Sequence, residues 1–183
     1  ASAPTATITI DGTQDIMWAS DTKGIKKMQG TQDQPALNFT HKLMQVTFKA
    51  QADASFTGSD KVTKLTIKGI GKTVTLNPIT GDVTFGSEDL VAYSDETGVA
   101  IETDPVNIAP SVMFKPTQKI ALDIVTANGN TYQGVEVDFG TTEPNKAGYS
   151  YEVTLNFKQT MIVPTASITE WETGTNPGII DVE

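Results

Sequence analysis

The chain has 183 residues, of which 38% are hydrophobic, and its 13 basic and 22 acidic side chains give a net charge of −9. All of the basic residues are lysines, and an acidic chain without arginine is a poor nucleic-acid binder because it lacks bidentate phosphate contacts. The sequence has no cysteine and no run of about 18 apolar residues, which excludes disulfides, thiol nucleophiles and a membrane-spanning helix.

The first 36 residues have little regular patterning. Residues 5–10 alternate with Ile8 and Ile10 on one side, which predicts a short strand, and residues 15–18 form a second short apolar run. Residues 20–35 are polar and contain glycine, so they are interpreted as a loop or linker.

Strand-like alternation becomes regular from residue 37 onwards. Phe39 and His41 share one parity, whereas Met44, Val46 and Phe48 take the other. This switch predicts a β-bulge or a strand that crosses from one sheet to its partner. Further strands are predicted at residues 62–70, 73–76 and 83–85.

The middle of the chain contains a helix signal and an edge-strand signal, both weak. Residues 88–96 are the one segment whose pattern allows a helical turn. Residues 106–114 follow Pro105 and contain Pro110. Because proline cannot donate a ladder hydrogen bond, these residues are predicted to form an edge strand.

Residues 119–139 carry a strong hairpin signal. Two alternating runs flank Asn128-Gly129, and Asn-Gly is the commonest centre of a type I′ turn. The segment is therefore predicted to be a hairpin closed by that turn.

The clearest strand pattern lies between residues 148 and 171. Tyr149 to Phe157 alternates without a break, and a second strand-like segment at residues 161–169 leads into Trp171. Short strands, turn chemistry about every eight to twelve residues and the lack of helical periodicity together predict an all-β, antiparallel β-sandwich.

Residues 173–183 form a C-terminal tail. It opens with glycine, asparagine and proline, which indicates flexibility, and then carries the apolar side chains of Ile179, Ile180 and Val182. Two interpretations stay open at this point: a disordered end, or an extended segment that adds to a sheet.

Residues that could carry out catalysis or bind a metal are few. His41 is the only histidine, which excludes a multi-histidine metal site, and its place in a strand pattern favours a structural, hydrogen-bonded role. No Gly-x-Ser-x-Gly elbow accompanies it, which disfavours a catalytic triad. Acidic residues cluster at three places, Asp11/Asp15, Asp95-Glu96 and Glu102/Asp104. None has the spacing of a calcium loop, so we predict no catalytic, cofactor-binding or metal-binding residues.

The two tryptophans are the remaining candidates for binding. Trp171 follows directly on an apolar strand, which favours a role in closing one end of the core. Trp18 is the better candidate for a surface contact such as sugar stacking, although partial burial is the commoner fate of the residue.

Three segments occur in a distinctive order: Asn38–Lys49, Val62–Ile70, and Tyr149–Asn156 followed by Ile168-Thr-Glu-Trp171. Together they resemble the fimbrillin-type pilins of Bacteroidetes, and Asp15–Ala19 is similar to a segment that precedes the histidine strand in those proteins. The resemblance spans roughly residues 15–172 and is weak in the middle.

The resemblance implies a transthyretin-like β-sandwich that is exported as a lipoprotein to the outer membrane, matured by proteolysis and assembled into a surface fimbria by strand exchange. The partners would be other pilin subunits, and no cofactor is implied. In that mechanism the extended end of one subunit completes a neighbour's sheet, so Ile179, Ile180 and Val182 become the candidate donor-strand residues.

Three parts are predicted on this basis. Residues 1–34 are interpreted as N-terminal strands and a linker that could be a remnant of a first pilin domain. Residues 35–172 form the pilin-like β-sandwich, and residues 173–183 form the candidate donor strand.

Two alternatives to the pilin hypothesis stay open. The first is a stand-alone cell-surface module that binds glycans or host proteins through its loops and Trp18. The second is an enzyme, which we disfavour because no acid, base or nucleophile is seen to converge.

Overall fold

A computed structural model describes residues 4–19, 38–140, 147–159 and 161–170. Every regular element in these ranges is a β-strand, and they contain no helix long and apolar enough to cross a membrane. The fourteen strands are β1 (Ala6–Thr9), β2 (Met17–Ala19), β3 (Phe39–His41), β4 (Met44–Ala52), β5 (Lys61–Ile67), β6 (Thr73–Leu76), β7 (Val83–Phe85), β8 (Leu90–Ala100), β9 (Val106–Asn107), β10 (Val112–Phe114), β11 (Lys119–Thr126), β12 (Thr131–Asp138), β13 (Tyr149–Phe157) and β14 (Ile162–Glu170).

The strands form two large and two small sheets. The five-stranded sheet has the order β10-β4-β13-β14, with β9 also paired to β4, and the four-stranded sheet has the order β12-β11-β5-β8. A three-stranded sheet of β1-β6-β7 and a two-stranded ribbon of β2 and β3 complete the described fold. The all-β prediction is confirmed, whereas the transthyretin-like topology stays a prediction.

One hydrophobic core lies between the two large sheets. Phe48 of β4 and Leu155 of β13 meet Leu65 of β5 and Leu122 of β11 there, and each of these side chains is buried. Burial alternates along β4, β11 and β13 because successive side chains of a strand point to opposite faces. The alternating apolar residues of the sequence are therefore the ones that hold the sheets together.

A second, smaller core attaches the three-stranded sheet. It is formed by Ile10, Ile16, Leu43 and Val74. Leu43 lies between β3, in the two-stranded ribbon, and β4, in the five-stranded sheet. The parity switch predicted at this point is therefore a crossing between sheets.

The prediction of a purely antiparallel sandwich is wrong in one place. β4 and β13 pair in parallel, from Ser150 opposite Gln45 to Phe157 opposite Ala52. Parallel neighbours need a long crossover, and nearly a hundred residues separate these two strands. Alternation within a strand does not reveal the direction of its neighbour, so the sequence pattern could not distinguish the two arrangements.

The segment predicted to allow a helical turn is instead a strand. Residues 88–96 overlap β8, which pairs with β5 at the edge of the four-stranded sheet. Register shifts interrupt this pairing, and most side chains from Val91 to Thr97 are exposed or partly exposed. The usual alternation is blurred as a result, which explains the misleading pattern.

The hairpin predicted at residues 119–139 is confirmed, but its turn differs. β11 and β12 pair antiparallel, Gly129 N–H donates to Thr126 O over 3.0 Å, and Thr126 N–H donates to Asn130 O over 3.0 Å. Three residues therefore separate Thr126 from Asn130, the last hydrogen-bonded pair of the hairpin, and Gly129 has a φ of 82°. This is the pattern of a three-residue loop with a glycine bulge, not of a two-residue type I′ turn.

The predicted edge strand at residues 106–114 is present as two short pieces. β9 and β10 both pair with β4 at the edge of the five-stranded sheet. Residues 108–111, which include Pro110, separate them.

The predicted boundary at residue 34 stays a prediction. β1 pairs with β6, from Ala6 opposite Leu76 to Thr9 opposite Thr73. β2 pairs with β3, with Trp18 opposite Thr40. The described N-terminal residues are thus hydrogen-bonded to strands of the following part of the chain.

Candidate assembly edge

β14 forms one edge of the five-stranded sheet, and no strand within the described ranges pairs with its outer side. Lys158 N–H donates to Met161 O over 2.8 Å, so these two residues form a hydrogen-bonded pair. Hydrogen-bonded and non-hydrogen-bonded pairs alternate along an antiparallel ladder, and this pair therefore sets the pattern for β13 and β14. The odd-numbered residues of β14 direct their backbone groups toward β13, and the even-numbered residues direct theirs outward. Pro164 is one of the outward-directed residues, where its lack of an N–H breaks no ladder bond.

The core-side face of β14 is covered at one end and open at the other. Its even-numbered residues lie opposite Phe157, Leu155, Val153 and Tyr151 of β13, all of them buried. Ile162 is only 9% exposed, whereas Ile168 is 44% exposed and Ala166 is also exposed. Two apolar side chains that point to the core side are therefore left uncovered by the described residues.

β12 lies on the other side of this opening. It is the edge strand of the four-stranded sheet, and its Cα atoms come within 8 Å of those of β14, although the two strands share no ladder. Tyr132 contacts Phe157 edge-on with ring centroids 5.9 Å apart, and Phe139 contacts Tyr151 at 4.9 Å. We call this opening the β12–β14 seam and define it by Pro164, Ala166, Ile168, Tyr132, Val135 and Phe139.

Charge near the seam lies on the outer face of β12. Lys119 Nζ is 2.7 Å from Glu136 and 3.3 Å from Asp138, and these hydrogen bonds raise the pKa of Lys119. Between them, Val137 points inward and is buried. Residues 161–169 contain no charged side chain at all. Edge strands usually carry charges or prolines that discourage pairing, and along residues 162–169 of β14 Pro164 is the single such device.

Trp18 lies against the turn between β6 and β7. Its indole N–H donates to Pro78 O over 3.0 Å, and Lys42 Nζ is 4.8 Å from the ring centroid. A Cβ on Gly81 would lie 2.5 Å from the indole ring. The residue is partly buried, and its predicted role as a surface contact stays a prediction.

Replacing Gly81 with alanine should displace Trp18. Gly81 has a φ of 74°, so alanine meets both a left-handed backbone and the ring, and we expect a loss of roughly 2–4 kcal/mol in unfolding free energy. Gly129→Ala is the matched control, because Gly129 has a similar φ of 82° but open space around it. Urea unfolding, with Trp18 fluorescence read in a Trp171→Phe background, checks this. Equal losses in both variants would contradict the contact.

The single histidine has the structural role that its pattern favours. His41 Nδ1 lies 2.7 Å from Asp15 Oδ2, and the His41 side chain is 16% exposed. The pair joins β3 to the segment before β2. Among the described residues, no three carboxylate or imidazole groups are placed to hold a metal ion.

Several of the acidic residues serve turn geometry. Asp11 Oδ1 accepts hydrogen bonds from the Thr13 hydroxyl at 2.7 Å and the Thr13 amide at 2.9 Å, and these bonds lower its pKa. Asp53 and Asp95 accept equivalent bonds from Ser55 and Thr97. This is the local bonding that makes aspartate common in turns.

The described residues form two large sheets around one core, and no strand among them pairs with the outer side of β14. A sequence profile of the fimbrillin-like family matches residues 4–171, and the chain belongs to that family. Its members are structural, non-enzymatic proteins, and the chain is accordingly a fimbrillin-like protein. No curated protein matches the sequence.

Solved structures of Bacteroidetes proteins resemble the chain. A protein from Bacteroides uniformis that is proposed to act in cell adhesion aligns with a TM-score of 0.63 and 20% identity, over 94% of this chain and 68% of that one. A fimbrial protein from Bacteroides vulgatus aligns with a TM-score of 0.48 and 17% identity, over 74% of this chain and 56% of that one. The tip fimbrial protein Mfa3 from Porphyromonas gingivalis aligns with a TM-score of 0.43 and 9% identity, over 73% of this chain and 52% of that one. The first match supports the fold, and the chain spans little more than half of the other two.

The donor-strand candidates Ile179, Ile180 and Val182 and the predicted core-closing Trp171 lie outside the described residues. The sequence pattern does not single out Ala166 or Ile168. Alternation places them on the core side of a strand, but it does not show whether anything covers them. The one signal in the sequence is the run of nine uncharged residues at 161–169.

Proposed function

We propose that this protein is a structural and adhesive subunit of a bacterial surface fimbria, and that subunits polymerise by strand complementation. In this mechanism residues 173–183 of one subunit add a strand to a sheet edge of the next. Membership of the fimbrillin-like family supports the fimbrial role. No described strand pairs with the outer side of β14, and this observation supports assembly through a sheet edge.

The physical basis of such a contact is β-augmentation. Backbone hydrogen bonds along the added strand supply affinity, and alternate side chains fill pockets. The donor and acceptor surfaces differ, so the contact is heterologous and extends into a filament instead of closing. The partners are then other pilin subunits, at the cell surface, with a precursor that is lipid-anchored in the outer membrane.

Deleting residues 174–183 tests this proposal. The full chain is expected to form oligomers that appear as a ladder after chemical cross-linking, and the deletion variant is expected to be monomeric by light scattering. The sandwich should remain intact, because the described residues that form its two cores all lie outside the deleted segment. Circular dichroism and urea unfolding serve as the control for folding.

Oligomers that persist unchanged after the deletion would overturn the mechanism. A monomeric full chain that binds a glycan or a host protein saturably, with the same affinity after the deletion, would instead support a stand-alone binding module. That second result is the alternative function to which Trp18 would contribute.

A further inference from the structure

We propose that the β12–β14 seam is the acceptor site, and that it binds residues 179–182 of a second copy of this chain. The inference rests on the proposed function and adds to it where the strand binds and which of its side chains matter. Its starting point is the exposure of Ile168 and Ala166 on the core side of β14. A strand laid along the outer side of β14 would cover both.

Backbone groups at the seam suit a short added strand. The N–H and C=O groups of Ala166 and Ile168 point outward, and no described strand pairs with them. Pro164 has no N–H to offer, so pairing is favoured beyond it, at the end where the side chains are exposed. The incoming strand is thereby restricted to the half of β14 that follows Pro164.

Parity selects two of the three tail side chains. Residues two apart on a strand share a face, so Ile180 and Val182 point the same way and Ile179 points the other way. Antiparallel pairing with Ile180 opposite Ile168 places Val182 opposite Ala166. Both would then face Val135 and Phe139 of β12, and Ile179 would lie on the polar outer face of the sheet.

The length of the tail permits binding to a neighbour. Residues 171–178 separate the end of β14 from Ile179, and eight extended residues span roughly 26 Å. Their glycine, asparagine and proline content suits a connector and not a strand. The tail has two acidic residues, Asp181 and Glu183. Both have the parity of Ile179, so their side chains point to the same outer face. Both carboxylates therefore lie on the polar outer face of the sheet and not against the apolar side chains of the seam.

The test uses full-length variants in matched pairs. Ile168→Lys places a charge in the seam, and Val163→Lys places the same charge on the opposite face of the same strand, where the native side chain is 37% exposed. In the tail, the double variant Ile180→Lys/Val182→Lys is compared with Ile179→Lys. We expect the seam variant and the double tail variant to weaken self-association about tenfold or more, and the two controls to assemble like the parent chain.

Mixing the two assembly-defective variants gives the decisive result. The Ile168→Lys chain keeps an intact tail, and the Ile180→Lys/Val182→Lys chain keeps an intact seam. An equimolar mixture should therefore form one-to-one dimers of twice the monomer mass by light scattering, while each variant alone stays monomeric.

Three outcomes would overturn the inference. If the tail variant is monomeric but Ile168→Lys assembles normally, the acceptor lies elsewhere and the proposed function stands. If both variants are monomeric and the mixture is too, the intact tail does not bind the intact seam, and the inference is wrong. If neither substitution affects assembly, strand complementation by this tail is wrong as well. Unfolding midpoints near that of the parent chain confirm that each variant is folded.

Discussion

Replacing Phe157 with alanine is expected to lower the free energy of unfolding by about 3–5 kcal/mol. Phe157 is fully buried at the end of β13, between Ala52 of β4 and Ile162 of β14. Its ring also contacts Tyr132, which belongs to the opposite sheet, with centroids 5.9 Å apart. The substitution removes the ring that joins both sheets at this corner, and the surrounding strands cannot collapse into the space without moving the ladder.

Phe39→Ala is the matched control for this prediction. Phe39 lies on the two-stranded ribbon and is 53% exposed, so the same chemical change should cost less than about 1 kcal/mol. Urea unfolding of both variants, followed by circular dichroism, gives the comparison. Similar losses for Phe157 and Phe39 would contradict the placement of Phe157 in the core.

The sequence predicts this core well because one physical rule governs it. A strand buried on one face must alternate, and β13 does so for nine residues without a break. The same rule locates β11 and β12, and the glycine of the Asn-Gly pair marks their turn. These are local features, so a single segment of the chain contains all of the information they need.

The features that the sequence does not predict depend on neighbours that are distant in the chain. The parallel pairing of β4 with β13 depends on how the intervening strands fold, and either direction suits the same side chains. The turn at Asn128-Gly129 is wider than predicted because Asp60, nearly seventy residues away, binds its backbone. Edge strands such as β8 lose alternation because solvent reaches both of their faces.

At the candidate assembly edge, too, the sequence predicts the local strand pattern but not what depends on distant parts of the chain. Periodicity places Ala166 and Ile168 on the core side of β14, and their burial would be the default expectation for such a position. Only the three-dimensional arrangement shows that the described part of the chain leaves them uncovered. An apolar side chain on the inner face of an uncharged edge strand is unfavourable in an isolated subunit. It becomes favourable once another strand covers it, which links this local defect in the fold to the proposed assembly.

Asp60→Asn is expected to destabilise the protein by about 2–3 kcal/mol at neutral pH, because the carboxylate is 7% exposed and accepts hydrogen bonds from several donors. Lys61 N–H lies 2.8 Å from one oxygen, Asn128 N–H lies 3.0 Å from the same oxygen, and Asn130 Nδ2 lies 3.2 Å from the other. An asparagine presents an NH₂ group in place of one acceptor, which leaves a donor facing another donor. The hairpin turn and the start of β5 then lose the carboxylate to which both of them are hydrogen-bonded.

The difference in stability between the parent chain and Asp60→Asn should become smaller as the pH falls. Burial by itself would raise the pKa of Asp60, but the nearby Thr126 hydroxyl and the hydrogen bonds from Lys61, Asn128 and Asn130 outweigh it and lower the pKa below 3.8. The stabilisation is therefore complete above the unfolded-state pKa and is lost as the pH falls through the lower folded-state value. Urea unfolding at pH 7 and about pH 2.5 should show the gap between the parent chain and Asp60→Asn narrowing at the lower pH. Asp95→Asn, at an exposed position of β8, should show little change at neutral pH. A gap that is constant across this range would mean that the charge of Asp60 does not anchor the turn.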